Sequence, residues 1–212
     1  MKLPLFPLKS VFFPGETVPL HIFEPRYKQL IQDCRDEAIT FGIPVFFNNR
    51  LEYGTEVQLV EVVNTYEGGE MDVVCVARQV FKVISFEPQM GDKLYPGGDV
   101  QLLEYDYICP ASYKAEVVKK IHQLYTIMEI PNTPIDLAKY NSFVLAHKIG
   151  LSYEQEYELL RIAKEQDRLE FIYNHLLTTI NVLSQVERTR KIIELNGHFK
   201  NFDPLDFKNI ET

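Results

Sequence analysis

The chain has 212 residues, 46% apolar, 25% charged and 12% aromatic, and 22 Lys and Arg against 30 Asp and Glu leave a formal charge of −8. A chain this long buries about 70% of its unfolded surface, so it needs no disulfide or metal staple, and its composition excludes the disordered and fibrous classes. No apolar run approaches the ~18 residues of a membrane helix, and Cys34, Cys75 and Cys109 form no C-x-x-C, which excludes zinc ribbons and thioredoxin-like motifs.

The amino terminus, MKLPLFPLKSVFFPGE, is apolar behind a lysine, as a secretion signal is. Pro4, Pro7 and Pro14 cut the run and no small-residue cleavage site follows, so it reads as a strand and turns of the fold. From Leu3 to about Tyr107, β-branched and aromatic residues with Gly and Pro punctuation predict strands over Thr17–Leu20, Ile39–Phe47, Thr55–Tyr66, Met71–Phe86 and Val100–Tyr107. One helix interrupts them, opened by Glu24-Pro25 and running to about Arg35, with Tyr27, Leu30, Ile31 and Cys34 as its buried stripe. Glu67-Gly68-Gly69-Glu70 reads as a hairpin turn. In GTEVQLVEVV, alternation puts Val57, Leu59 and Glu61 on one face and Val60 and Val62 on the other. Several antiparallel strands around one helix predict a small closed or half-closed barrel.

Past Cys109-Pro110 the texture changes, with apolar residues recurring at three and four. Four helices are predicted. The first spans Ser112–Met128, and the second is opened by Thr133-Pro134-Ile135-Asp136 and ended by Gly150. The third opens on the capping box Ser152-x-x-Gln155. The fourth is a long one from Gln166 to the Asn196-Gly197 stop, with Leu169, Ile172, Leu176, Ile180 and Leu183 as its stripe. The expected organisation is an α+β chain: a barrel domain over 1–108, a helical bundle over 109–197 and a tail over 198–212.

Little in the sequence points to catalysis. No Gly-Lys pair, G-x-G-x-x-G, H-E-x-x-H or G-x-S-x-G occurs, and His21, His122, His147, His175 and His198 do not pair at ligand spacing. No metal or cofactor is therefore expected. Cys34 and Cys75 sit on apolar stripes and read as inert core thiols. Reduced thiols fit a cytoplasmic protein. In the junction around Glu24, Pro25, Arg26 and Tyr27, Arg26 is expected to be a buried scaffold residue donating to carbonyls and carboxylates. The doublets Phe12-Phe13 and Phe46-Phe47 carry the best binding signal. Neighbours in a strand face opposite sides, so one ring of each pair is either covered by the helical half or left on an exposed apolar patch.

LPLFPL (Leu3–Leu8) followed by VFFPGETVPLHIFEPRYKQLI (Val11–Ile31) resembles the opening of the substrate-binding N-terminal domain of Lon proteases. The likeness takes in the Pro14-Gly15 turn and the Glu24-Pro25-Arg26-Tyr27 junction. Tyr53-Gly54-Thr55-Glu56-Val57 is similar to the family's next glycine-led strand, and Gln79–Phe86 to its following hairpin arm, although Ala77 stands where a glycine usually precedes the arginine. LSYEQEYELLRIAKEQDRLEFIYNHL (Leu151–Leu176) is similar to the family's helical bundle. The resemblance spans about residues 3–180. It implies a PUA-like pseudo-barrel followed by a bundle with one long helix, and a role in recognising unfolded or tagged polypeptides. The ATPase and Ser–Lys protease of full-length Lon are not in the chain, so proteolysis is not expected.

Three functions compete at this point: a polypeptide- or adaptor-binding module, an RNA-binding PUA-like protein and a hydrolase without recognisable motifs. Residues 1–107 carry 9 Lys and Arg against 16 Asp and Glu, a net −7, which disfavours phosphate backbones. The expected partner is an unfolded polypeptide or a protein, with no nucleic acid and no membrane, met by whichever of Phe12, Phe13, Phe46 and Phe47 face outward.

Overall fold

The computed structural model describes residues 1–200, the last five through their backbone alone. Six strands and one helix come first: β1 (Lys2–Pro4), β2 (Thr17–Ile22), α1 (Pro25–Glu37), β3 (Phe41–Phe47), β4 (Arg50–Thr65), β5 (Met71–Val83) and β6 (Gly97–Leu102). The helical half follows with α2 (Ala111–Ile127), a 3₁₀ turn at Ala146–Lys148, α3 (Tyr153–Arg161) and α4 (Glu165–Lys200).

The strands pair in the order β1-β6-β5-β4-β3, all antiparallel, with β2 added to β5. The chain after β1 then meets β3 in parallel through bridges at Leu5–Gly42 and Leu8–Val45, where the amides of Phe6 and Phe46 donate at 2.8 Å to Gly42 O and Leu8 O. That contact closes the sheet into the predicted barrel. Gly42 allows it: a Cβ there would lie 2.8 Å from the side chain of Leu5, its bridge partner, and 2.7 Å from the Phe81 ring.

The predicted strands begin and end elsewhere than expected, for identifiable reasons. Asn48 and Asn49 both take positive φ, 48° and 58°, and make a two-residue hairpin turn, so β4 starts at Arg50 rather than Thr55. The sheet's last strand starts at Gly97 and stops at Leu102, because the chain from Leu103 onward turns to the helical half. The alternation in β4 also shifts phase. Register slips after Leu59 and after Val62 leave Val60 and Val63 as the extra residues of bulges, so Val62 joins the core alongside Val57 and Leu59, while Glu61 faces out.

A larger difference lies over Thr133–Gly150, which is not an α-helix. Short polar side chains take its backbone for themselves: Asp136 accepts from Ala138 N at 3.0 Å, and Asn141 accepts from Phe143 N at 2.9 Å. Ser142 is held by Glu165, its amide and its hydroxyl both donating at 2.8 Å. The Asn196-Gly197 stop does not end α4 either, since the helix continues to Lys200. Residues 201–212, most of the expected tail, lie outside the described residues.

Two large apolar cores result, beside a small cluster of Leu3, Leu5, Phe81 and Val100. One sits inside the barrel under α1, around Val18, Ile22, Leu30, Ile31, Phe41, Val73 and Cys75. The other joins the halves across the expected boundary: Val11, Phe13, Val45 and Val80 from the barrel pack with Ile121, Phe143, Leu159, Leu160, Leu169, Ile172 and Leu176. The stripe of α4 is buried through Ile180, but every side chain from Gln185 to Leu195 is exposed, so the end of the helix projects.

Candidate functional site

The four phenylalanines go to different places. Phe13 is fully buried, stacked on Phe143 with ring centroids 5.1 Å apart. Phe12, half-buried, packs into the other core under α1. The neighbours of this doublet therefore serve one core each, and neither is free. In the second doublet, Phe47 is half-buried against Tyr157, ring centroids 4.8 Å apart, and against Tyr153 at 5.7 Å. Phe46 alone is open, with 44% of its surface exposed. Its carbonyl accepts from Tyr153 Oη at 3.0 Å, so the β3–β4 turn is pinned on α3.

Beside this turn, Phe47, Asn48, Arg50, Glu52, Tyr157 and Arg161 line a cleft of about 350 Å³ on the seam between barrel and helices. The Arg161 guanidinium lies over Tyr53 at 5.1 Å and Tyr157 at 5.7 Å, and burial pushes the Tyr157 phenol up to about 12, so it stays neutral. A second cleft, about 600 Å³, lies where β2 and β6 diverge from β5, with Pro14, Val80, Leu103, Tyr105 and Tyr107 among its walls and Arg78 and Glu104 at its rim. Both can receive an extended chain with an apolar side chain.

The Pro14-Gly15 turn that walls the second cleft is fixed by charge. Gly15 takes φ +92°, as the third position of a Pro-Gly turn requires, and the Glu16 carboxylate accepts from Phe13 N at 2.9 Å. His147 spans the seam, Nε2 at 3.1 Å from Glu16 and Nδ1 at 2.6 Å from Glu156 on α3. Those two carboxylates raise the imidazole to about 9 against its partial burial, so it is protonated at neutral pH.

At the strand-to-helix junction, Pro25 is the first residue of α1 and Glu24 its cap, whose carbonyl accepts from Tyr27 N and Lys28 N. Tyr27 is buried and stacked on Phe6 at 3.9 Å. Arg26 corrects the expectation of a buried scaffold arginine. Its side chain is 46% exposed, pairs with Glu24 at 2.7 Å and lies 4.6 Å over the Tyr27 ring. Pro25 aims the first helical turn outward, and only Tyr27 points in. Cys34 and Cys75 are buried and pushed up to about 12 by desolvation, which leaves no thiolate at neutral pH. Among the described residues no group of three His, Cys, Asp or Glu could hold a metal, and no helix is long and apolar enough to cross a membrane.

The fold and sequence now meet their relatives. The model of the ATP-dependent protease La (LON) substrate-binding domain matches residues 2–178. The chain belongs to that family. A Lon N-terminal domain protein from Xanthomonas campestris has 26% sequence identity and a TM-score of 0.61, over 80% of this chain and 95% of that one. The N-terminal domain of a Mycobacterium avium complex Lon protease shares the fold, with 14% identity and a TM-score of 0.63, over 83% of this chain and 98% of its own.

Two features of this Lon substrate-binding domain escaped the sequence reading. One is the buried centre of the seam. Arg168 and Glu165 are both fully buried, and the guanidinium uses all its donors: Ser142 Oγ at 2.8 Å, Glu165 Oε2 at 2.8 Å, and the carbonyls of Ile162, Ala163 and Asp106 at 2.7–2.8 Å. Tyr105, Tyr107 and Phe143 stack around it. The sequence signal was a charged pair breaking the start of an apolar stripe, which exposed helix faces share. The other feature is an uncovered face of the barrel, where Phe23, Val60, Val63 and Tyr66 are 59%, 63%, 59% and 44% exposed.

Proposed function

We propose that this Lon substrate-binding domain is a non-catalytic, cytoplasmic module that binds unfolded polypeptide or a protein partner, and serves as an adaptor in protein quality control. Residues 1–108 and 109–197 act in it as one unit. The reading is carried by the seam: a phenylalanine, Phe46, stands exposed on a turn that Tyr153 holds in place, next in the chain to Phe47, which walls a cleft together with Tyr157. A pre-set aromatic anchor beside a cleft suits an extended chain, because little entropy is lost in ordering the site. Family membership supports the polypeptide class, and the raised thiols leave no activated nucleophile among the buried cysteines.

Binding of a fluorescent, permanently unfolded polypeptide tests the reading. Phe46→Ser is expected to weaken binding about tenfold, mostly through faster dissociation, with an unchanged melting midpoint. Unchanged affinity would remove the seam from the site. Incubation with ATP and casein is expected to give no turnover above a buffer control. Turnover lost on changing one residue of this chain would overturn the non-catalytic reading.

A further inference from the structure

The bare face of the barrel is built from β2, β5 and β4. Register puts Thr17, Pro19 and His21 beside Val76, Val74 and Asp72, and these beside Gln58, Glu61 and Asn64. All share the side opposite Val18, Ile22, Val73 and Cys75, which fill the core. The strand residues Thr17, Pro19, His21, Gln58, Glu61 and Asn64 are exposed, and the β5 residues Asp72, Val74 and Val76 are half-buried. At one end the rings of Phe23 and Tyr66 flank His21, centroids 6.1 and 6.0 Å from it. The bulges turn Val60 and Val63 outward along β4. The face is therefore a strip of separate apolar points.

Its charge is one-sided. From residue 61 to residue 72 the hairpin carries Glu61, Glu67, Glu70 and Asp72 and no Lys or Arg. Lys28 stands 3.6 Å from Glu70, and His21 and Tyr66 each lie 2.7 Å from an oxygen of Asp72. Among the described residues no cation bridges Glu61 or Glu67, which rim Val60, Val63 and Tyr66. Two guanidiniums border the far end of the strip: Arg78, hydrogen-bonded to Gln58, and Arg35 of α1, which lines a pocket with Val60 and Glu61 without pairing with that carboxylate. Edge-to-edge pairing is blocked as well. β2 carries Pro19, which has no N–H, and β4 past Val57 is interrupted by its two bulges. A partner thus lies across the face and meets side chains.

We propose that the outer face of β2, β5 and β4 docks an extended polypeptide segment in which Lys or Arg alternate with apolar residues. The apolar side chains sit on Phe23, Tyr66 and Val63, and the cations meet Glu61 and Glu67. The proposal rests on the polypeptide reading but uses a surface distinct from the seam. The acidic field of the barrel speeds encounter with such a segment and repels acidic ones.

Two labelled peptides of Leu-Lys-Ser and Leu-Glu-Ser repeats test it by fluorescence anisotropy. The lysine peptide is expected to bind at least about tenfold tighter, and to weaken as salt rises from about 0.05 M to about 0.3 M. Phe23→Ser is expected to weaken it about tenfold, the pair Glu61→Lys and Glu67→Lys to abolish the preference for lysine, and Phe46→Ser to leave it unchanged. These positions are exposed, and melting midpoints within about 2 °C of the parent confirm folding. Equal affinity for both peptides overturns the proposal. Binding that follows Phe46→Ser but not Phe23→Ser also overturns it, while leaving polypeptide binding at the seam intact. Failure of both peptides and of the unfolded polypeptide defeats both readings together.

Discussion

The seam and the outer face of the barrel hold comparable apolar chemistry under opposite conditions. At the seam, Phe13, Phe143 and Ile172 are out of water, and a buried guanidinium has every donor matched. On the outer face, Phe23, Val63 and Tyr66 are open, and of the carboxylates beside them Glu70 and Asp72 meet Lys28 and His21 while Glu61 and Glu67 have no ion-pair partner among the described residues. Apolar residues that have found each other hold the shape. Those that have not are available to a partner. An exposed ring in a folded chain is thus informative in proportion to how much its neighbours are already committed.

The largest expected effect strikes the seam. Arg168→Met leaves Glu165 charged, buried and short of its partner, which costs about 3–5 kcal/mol, measured by denaturant unfolding. Replacing both Glu165 and Arg168 by Met is expected to cost less than Arg168→Met alone. A single-variant cost below about 1 kcal/mol would show that the network holds little. Phe13→Ala follows, at about 3 kcal/mol, because it opens a cavity in the shared core.

His147 gives a smaller effect with a pH signature. Its folded pKa, about 9, lies above the ordinary 6.5, so its contribution is complete below pH 6.5 and fades as pH rises through 9. The side chain is 37% exposed, and solvent screens part of the gain. His147→Gln is expected to flatten the decline in stability between pH 6.5 and 9, measured by melting across that range. An unchanged slope would place the decline elsewhere. Smallest is Arg26→Ala, about 1 kcal/mol or less, since the pair with Glu24 is exposed. A loss of several kcal/mol would mean that the junction, like the seam, is a committed region.

Much of this arrangement was legible in the residues. Tyr27, Leu30, Ile31 and Cys34 are the buried stripe of α1, and Ser152 with Gln155 makes the capping box of α3 with both hydrogen bonds formed. Period and caps are local properties, and local order follows from them. What was not legible depends on distant partners. Thr133–Gly150 has helical apolar spacing, yet Glu165, 23 positions beyond Ser142, draws that segment into an irregular path. The bulges that expose Val60 and Val63 come from pairing with β5, which alternation within β4 does not report. For the same reason the doublets named four candidate contacts but did not tell which ring would be covered. Phe46 differs from Phe13 only in what the helical half happens to reach.

An amide-resolved NMR titration with the Leu-Lys-Ser peptide puts the central claim, that the uncommitted surfaces of the barrel are the ones that bind polypeptide, to the most direct test. The account predicts shift changes concentrated on Phe23, Val63, Tyr66 and their neighbours on β2, β4 and β5, with Phe13, Phe143 and Arg168 unmoved. Changes centred on the buried core around Phe13, Phe143 and Arg168, or none at saturating peptide, would contradict it.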